Sequence, residues 1–175
     1  MKTPMQLFII GYTKTGKSTL ARMCAKAGYS VYEAGAWARR EYASLHPGDH
    51  DDMCPAYKNA LAAHAMKVLS RDPMHSMVEY GKFMMEGHDK RLIVGVRNPG
   101  DFIHMLSRDA VNRVIFITRD GPHGGNLGLM EQGVDIIHSI VMWMQKIGQP
   151  LPSMTLADAD VLSGNIPHKL LRDFI

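Results

Sequence analysis

Apolar positions arrive along this chain in short runs separated by turn-forming residues. Met5-Gln6-Leu7-Phe8-Ile9-Ile10 is uncharged, too brief for a helix and ended by Gly11, which predicts a strand buried on both faces of a parallel sheet. From Lys17 to Ala27 the period changes. Leu20, Met23, Cys24 and Ala27 fall at helical spacing and Gly28 supplies a C-terminal stop. Tyr29 to Glu33 predicts a second strand. Gly35 to Leu45 and Ala56 to Ser70 read as helices around a polar break, His46 to Asp52, in which Pro47 and Gly48 end regular structure. Pro73 opens a Met-rich helix to about Glu86, whose Met74, Met77, Val78, Met84 and Met85 are expected to fill core space. Arg91 to Val96 and Asn112 to Thr118 are β-branched strands bracketing a helix from Pro99 to Arg108. A glycine-rich segment, Gly121 to Gly133, precedes an amphipathic helix from about Val134 to Ile147. Asp160 to Leu162 reads as a last short strand and Pro167 to Phe174 as a closing helix.

Strands that alternate with helices require crossover connections, and those crossovers cover both faces of the sheet. The expected fold is therefore α/β, a three-layer α/β/α sandwich with a central, mostly parallel sheet. No internal repeat or long linker interrupts the 175 residues, so a single domain over 1–175 is expected. The balance of 46% hydrophobic to 21% charged residues suits a globular chain. The run at Met5 to Ile10 falls far short of the roughly 20 apolar residues that span a bilayer, and neither a membrane nor a secretory segment is expected. The expected compartment is the cytoplasm, where Cys24 and Cys54 would be free thiols. The formal charge of +3 comes from 20 Lys+Arg and 17 Asp+Glu spread along the chain, with no basic block to announce a nucleic-acid partner.

The chemistry concentrates near the amino end. Gly11-Tyr12-Thr13-Lys14-Thr15-Gly16-Lys17-Ser18 fits G-x-x-x-x-G-K-[ST] and stands between the buried strand and the first helix, where a phosphate cradle needs it. Gly11 and Gly16 let the backbone wrap a phosphate, and the helix N-terminus adds partial positive charge. Lys14, Thr15 and Thr19 complete the cradle. Lys17 should reach the β/γ-phosphates and the Ser18 hydroxyl should ligate Mg²⁺, so ATP and Mg²⁺ are the expected cofactors and a P-loop NTPase fold the expected frame. A guanine-reading N-K-x-D is not found in the corresponding late stretch, Thr118-Arg119-Asp120-Gly121, which argues against a GTPase. His46, His50 and Cys54, at H-x3-H-x3-C spacing, lack the paired knuckles of structural zinc sites and read as a solvated loop.

With that loop in place the chain resembles the P-loop nucleotide kinases, the group of nucleoside and deoxynucleoside monophosphate kinases and dephospho-coenzyme A kinase. Besides the loop, three segments carry the resemblance: Val31-Tyr32-Glu33-Ala34-Gly35-Ala36-Trp37-Ala38-Arg39, Leu92-Ile93-Val94-Gly95-Val96-Arg97-Asn98-Pro99-Gly100-Asp101-Phe102, and Ala159-Asp160-Val161-Leu162-Ser163-Gly164-Asn165. The resemblance implies that Arg39 and Arg97 grip the acceptor's phosphate, that Asn165 lies near the donor's adenine, and that Arg119 belongs to a lid running to Asn126. Trp37 is a candidate to stack on an acceptor base, and Arg40 is the fallback for Arg39. Acids usual in the group are replaced here by Gly35 or Ala36 and by Gly95. Glu33 is the nearest substitute and Asp101 the next.

The expected activity is transfer of the γ-phosphate of a nucleoside triphosphate donor to a small phosphorylated acceptor, a (deoxy)nucleoside monophosphate first. Dephospho-coenzyme A or another small metabolite is the second acceptor class, and a nucleotide-binding regulatory protein without catalysis is the third reading. The sequence leaves a homodimer open.

Overall fold

The computed structural model describes residues 3–48, 54–119, 129–149, 151–166, 172 and 174. The elements run β1 (Met5–Gly11), α1 (Lys17–Lys26), β2 (Ser30–Glu33), α2 (Ala36–Leu45), α3 (Pro55–Arg71), α4 (His75–Met85), β3 (Lys90–Val94), α5 (Pro99–Met105), β4 (Val111–Thr118), α6 (Leu129–Lys146), β5 (Ser153–Ala157) and α7 (Asp158–Ser163). The strands form one five-stranded sheet in the order β2-β3-β1-β4-β5, every neighbouring pair parallel. Contacts divide the chain into two compact units, residues up to Glu33 joined with those from His88 onward, and Ala34–Gly87. Among the described residues no helix is long and apolar enough to cross a membrane.

The first unit holds the sheet. β1 is its middle strand because its side chains are apolar on both faces and can be covered from both sides. Leu7 and Ile9 join Leu20, Ala21 and Cys24 of α1 and Val161 of α7 in one buried cluster. Phe8, one residue on, points the other way and meets Phe102 of α5 edge-on at 5.1 Å. Phe116 of β4 meets His138 of α6 at 4.7 Å, and Ile137 and Val141 of that helix are fully buried. Helices thus cover both faces, which makes three layers. Gln6 interrupts the apolar run yet is fully buried, its Nε2 donating to Met105 O at 2.6 Å and Asn112 Oδ1 at 3.1 Å.

Two expectations in this unit need correction. Asp160 to Leu162 is helical, not a strand, because Val161 turns into the core while Asp158 and Asp160 sit in the first turn of α7, where the helix dipole favours acids. The last strand is β5, placed just before it by pairing Val114–Thr118 with Ser153–Ala157. α6 begins at Leu129, five residues ahead of the expected start, and takes in Glu131 and Gly133. Of the closing helix only Arg172 and Phe174 lie within the described residues, both helical.

The second unit packs α2, α3 and α4 around Trp37, Ala38 and Ala65. Glu41 of α2 ties the three helices together, meeting His75 Nε2 of α4 at 2.5 Å and His64 Nε2 of α3 at 3.4 Å. Of the residues of this stretch expected to fill core space, Met77 and Met84 are half-buried and Met74, Val78 and Met85 are exposed. Ser76, Tyr80 and Phe83 occupy the buried arc, and at about 100° per residue that phase turns Met74, Val78 and Met85 outward, Met85 to 81% exposure.

Phe102→Ala should lower stability by ~3–4 kcal/mol, since it empties space beside Phe8 at the centre of one sheet face. Urea unfolding followed by circular dichroism measures the loss.

Candidate functional site

The loop between β1 and α1 leaves the carboxyl end of the middle strand, the edge at which open α/β sheets hold their ligands. Its tight path depends on both motif glycines. A Cβ on Gly11 would stand 2.7 Å from Ile117 O and 2.8 Å from Thr15 Oγ1. Gly16 has φ 86°, and a Cβ there would stand 2.8 Å from Val161 Cγ1 of α7. The loop winds about one carbonyl, that of Tyr12, which accepts from the buried Thr15 hydroxyl at 2.9 Å and from the Lys17 ammonium. Gly16 O then accepts from Thr19 N at 2.9 Å and Leu20 N at 3.1 Å, which starts α1. Lys14 is exposed with φ 64°, and Ser18 is exposed in the first turn of α1.

Three charged side chains converge on Thr13, in the middle of this loop. Arg97 donates from Nη2 to Thr13 Oγ1 at 3.0 Å, and Arg119 donates to Thr13 O. Glu131 accepts from Thr13 N at 2.9 Å. Beside them the Tyr12 hydroxyl bonds Asp135, one helical turn beyond Glu131.

Local structure explains how each arrives. Arg97 follows the end of β3, where Gly95 N donates to Ile9 O at 3.1 Å and Gly95 takes φ 78°, a left-handed conformation that glycine adopts without strain. Behind Arg97, Asn98 caps α5 by accepting from Gly100 N at 2.8 Å, with Pro99 as the first helical residue. Arg119 stands one residue past β4. Glu131 and Asp135 are set by Gly133, midway between them. A Cβ on Gly133 would lie 1.7 Å from Arg97 O, so only a bare backbone lets α6 press against the β3–α5 connection.

The electrostatics follow from this packing. Burial alone would raise the Glu131 pKa, but the Thr13 hydrogen bonds and the charges of Arg97 and Arg119 outweigh it and hold the carboxyl below its usual range. Burial, reinforced by the bond to Asp135, pushes the Tyr12 hydroxyl up to about 12, so it remains a donor at neutral pH.

Of the residues singled out from the sequence, Gly11, Thr15, Gly16, Lys17, Arg97 and Arg119 meet in or at the loop. Thr19 is half-buried in α1. Glu33 is exposed at the carboxyl end of β2, and Asp101 is half-buried in the first turn of α5. Asn165 follows α7, its N–H donating to Asp160 O at 3.0 Å. Arg39 and Trp37 belong to α2 in the second unit, where Arg39 is half-buried. Trp37 is 5% exposed and packs edge-on against His75 at 4.9 Å, which makes it a core side chain there rather than a stacking surface. Arg40 pairs with Glu79 at 2.6 Å on the surface of that unit. His50 and the expected lid from Asp120 to Asn126 lie outside the described residues. Among the described residues no group of three or more His, Cys, Asp or Glu could hold a metal ion.

Sequence reading missed Thr13, Glu131, Gly133 and Asp135. The available signal was an acid pair at i and i+4 flanking a glycine, with Glu131 in a helix's first turn. A scan against protein-family models and a search of curated proteins give no match to this chain.

Gly133→Ala should cost ~3 kcal/mol and pull Glu131 from Thr13, because backbone rather than a movable side chain blocks the methyl group. Thermal unfolding measures it. Glu131→Gln should be less stable than wild type at neutral pH. Because the native carboxyl titrates below its unfolded value of about 4.3, the difference is full above that pH and fades as pH falls through the native pKa. Unfolding at stepped pH measures the closing gap.

Proposed function

We propose that this chain binds a nucleoside triphosphate on the loop from Gly11 to Ser18 and transfers its terminal phosphoryl group to a small phosphorylated acceptor, a (deoxy)nucleoside monophosphate first. The observation that carries the reading is the meeting of Arg97 and Arg119, from the ends of two strands flanking β1, at Thr13 inside a glycine-rich strand-to-helix turn.

Phosphoryl transfer asks a protein chiefly for positioning and for positive charge around the equatorial oxygens. Lys17, Arg97 and Arg119 supply three cations at one loop. Arginine's planar fork can hold two phosphate oxygens at once, which fixes a phosphate's orientation as well as its place. Among the hydrogen bonds these cations make are ones to neutral oxygens, the Tyr12 carbonyl and the Thr13 carbonyl and hydroxyl. Phosphate oxygens carry more charge and are stronger acceptors, so exchange is favourable. The site also fits Mg²⁺ in its donor chemistry, since Ser18 offers an exposed hydroxyl in the first turn of α1. Held there, Mg²⁺ would offset phosphate negative charge.

A second reading, nucleotide binding without transfer, is favoured by one observation. Gly95, one residue past β3, takes a left-handed conformation, so the position where the kinases this chain resembles carry an acid is shaped here for glycine. Glu33, exposed at the end of the neighbouring strand β2, is the acid assigned to the acceptor in the transfer reading.

Lys17→Ala should lower transfer by about 10²-fold or more, and Arg97→Ala should chiefly weaken acceptor use. Single-turnover assays with labelled ATP and a panel of nucleoside monophosphates and phosphorylated metabolites read both effects. ATP binding without phosphorylation of any acceptor would establish the binding-only reading. Unaltered kinetics in Arg97→Ala would remove that residue from the site.

A further inference from the structure

A loop built to hold anions has one of its amides occupied by an anion of the protein's own. We propose that Glu131 is a built-in competitor: its carboxylate fills a subsite made by Thr13 N–H with Arg97 and Arg119 alongside, and yields that subsite to an oxyanion of the incoming polyphosphate. The inference rests on the nucleotide-binding reading of the loop and adds to it a residue on α6 that sets the loop's affinity.

Three observations support it. The carboxylate accepts from the backbone amide of Thr13 at 2.9 Å, within the eight-residue motif rather than beside it. Carboxylate and phosphate oxygens ask the same of an amide, a charged acceptor at about this distance, so one can take the other's place. Both arginines bond the same residue, Arg97 at the hydroxyl and Arg119 at the carbonyl, so the cations that favour a bound phosphate also favour Glu131. Their charges help hold its carboxyl in the ionised form. Finally, the placement is enforced rather than incidental. Gly133 admits α6 to the Arg97 backbone, and Asp135 anchors the next turn of that helix on Tyr12.

Such an arrangement keeps the arginines oriented and their charge partly balanced until a ligand arrives. The ligand must then displace a charge-assisted hydrogen bond, which lowers its apparent affinity. A residue that merely braces the loop behaves oppositely, because removing it loosens the cradle and weakens binding. The sign of the affinity change therefore separates the two roles.

The test measures ATP and inorganic tripolyphosphate binding by isothermal titration calorimetry for wild type, Glu131→Gln and Glu131→Ala at one pH and salt concentration. Near-ultraviolet circular dichroism confirms that each variant is folded. Both variants should bind both probes about tenfold tighter than wild type. In wild type, the Thr13 amide resonance should shift when tripolyphosphate is added, a measurement that needs no variant. Folded variants that bind no tighter while wild type binds ATP would overturn this inference and leave the nucleotide-binding reading standing, as would a Thr13 amide unmoved at saturation. If neither wild type nor variants bind either probe, both fall together.

Discussion

The architecture depends on three places where backbone lies against its neighbour with no room for a Cβ. Gly11 sits under the Ile117 carbonyl of β4, Gly16 under Val161 of α7, and Gly133 of α6 against the Arg97 carbonyl. The first two fold the loop tightly over the end of β1. The third brings a helix from far along the chain onto the same spot. A close-packed interior transmits any added volume as strain, so a methyl group at any of the three would shift an element that carries a charged side chain or a loop amide.

The charge arrangement follows from that packing. Two guanidinium groups at one threonine repel each other and lose water, and an acid beside them offsets much of that cost. Glu131 does so while remaining partly exposed. Tyr12 and Asp135 add an uncharged donor and a second acid on the adjoining turn of α6, so this helix faces the loop with acids while the strand ends face it with cations. The outcome is a loop whose own hydrogen bonds gather at Tyr12 O and around Thr13.

Much of the frame was legible because local chemistry and tertiary need agree. A short run apolar on both sides suits a strand covered on both faces, and Gly11-x-x-x-x-Gly16-Lys17-Ser18 after it describes a tight strand-to-helix turn. The errors fall where local pattern and packing diverge. The Met-rich stretch of α4 carries apolar residues around most of its circumference, so periodicity alone could not select the arc, and Tyr80 and Phe83 took it. Asp160 to Leu162 is too short for its period to be read, and only the pairing of β5 with β4 and the burial of Val161 show it to be a helix. Gly133 resembled the end of a glycine-rich loop because a glycine in sequence looks the same whether it relaxes a turn or admits a neighbour.

What the sequence by itself determined is the strand-loop-helix at the amino end and the alternation that makes the sheet parallel. Those follow from steric and periodic rules that act within a few residues. Only the tertiary structure decided that Glu131 and Asp135 stand at the loop and that Trp37 lies in a core of its own unit. Glu131 is 118 residues from Thr13 along the chain. A contact at that range is set by how helices settle on a sheet, and no local pattern encodes it.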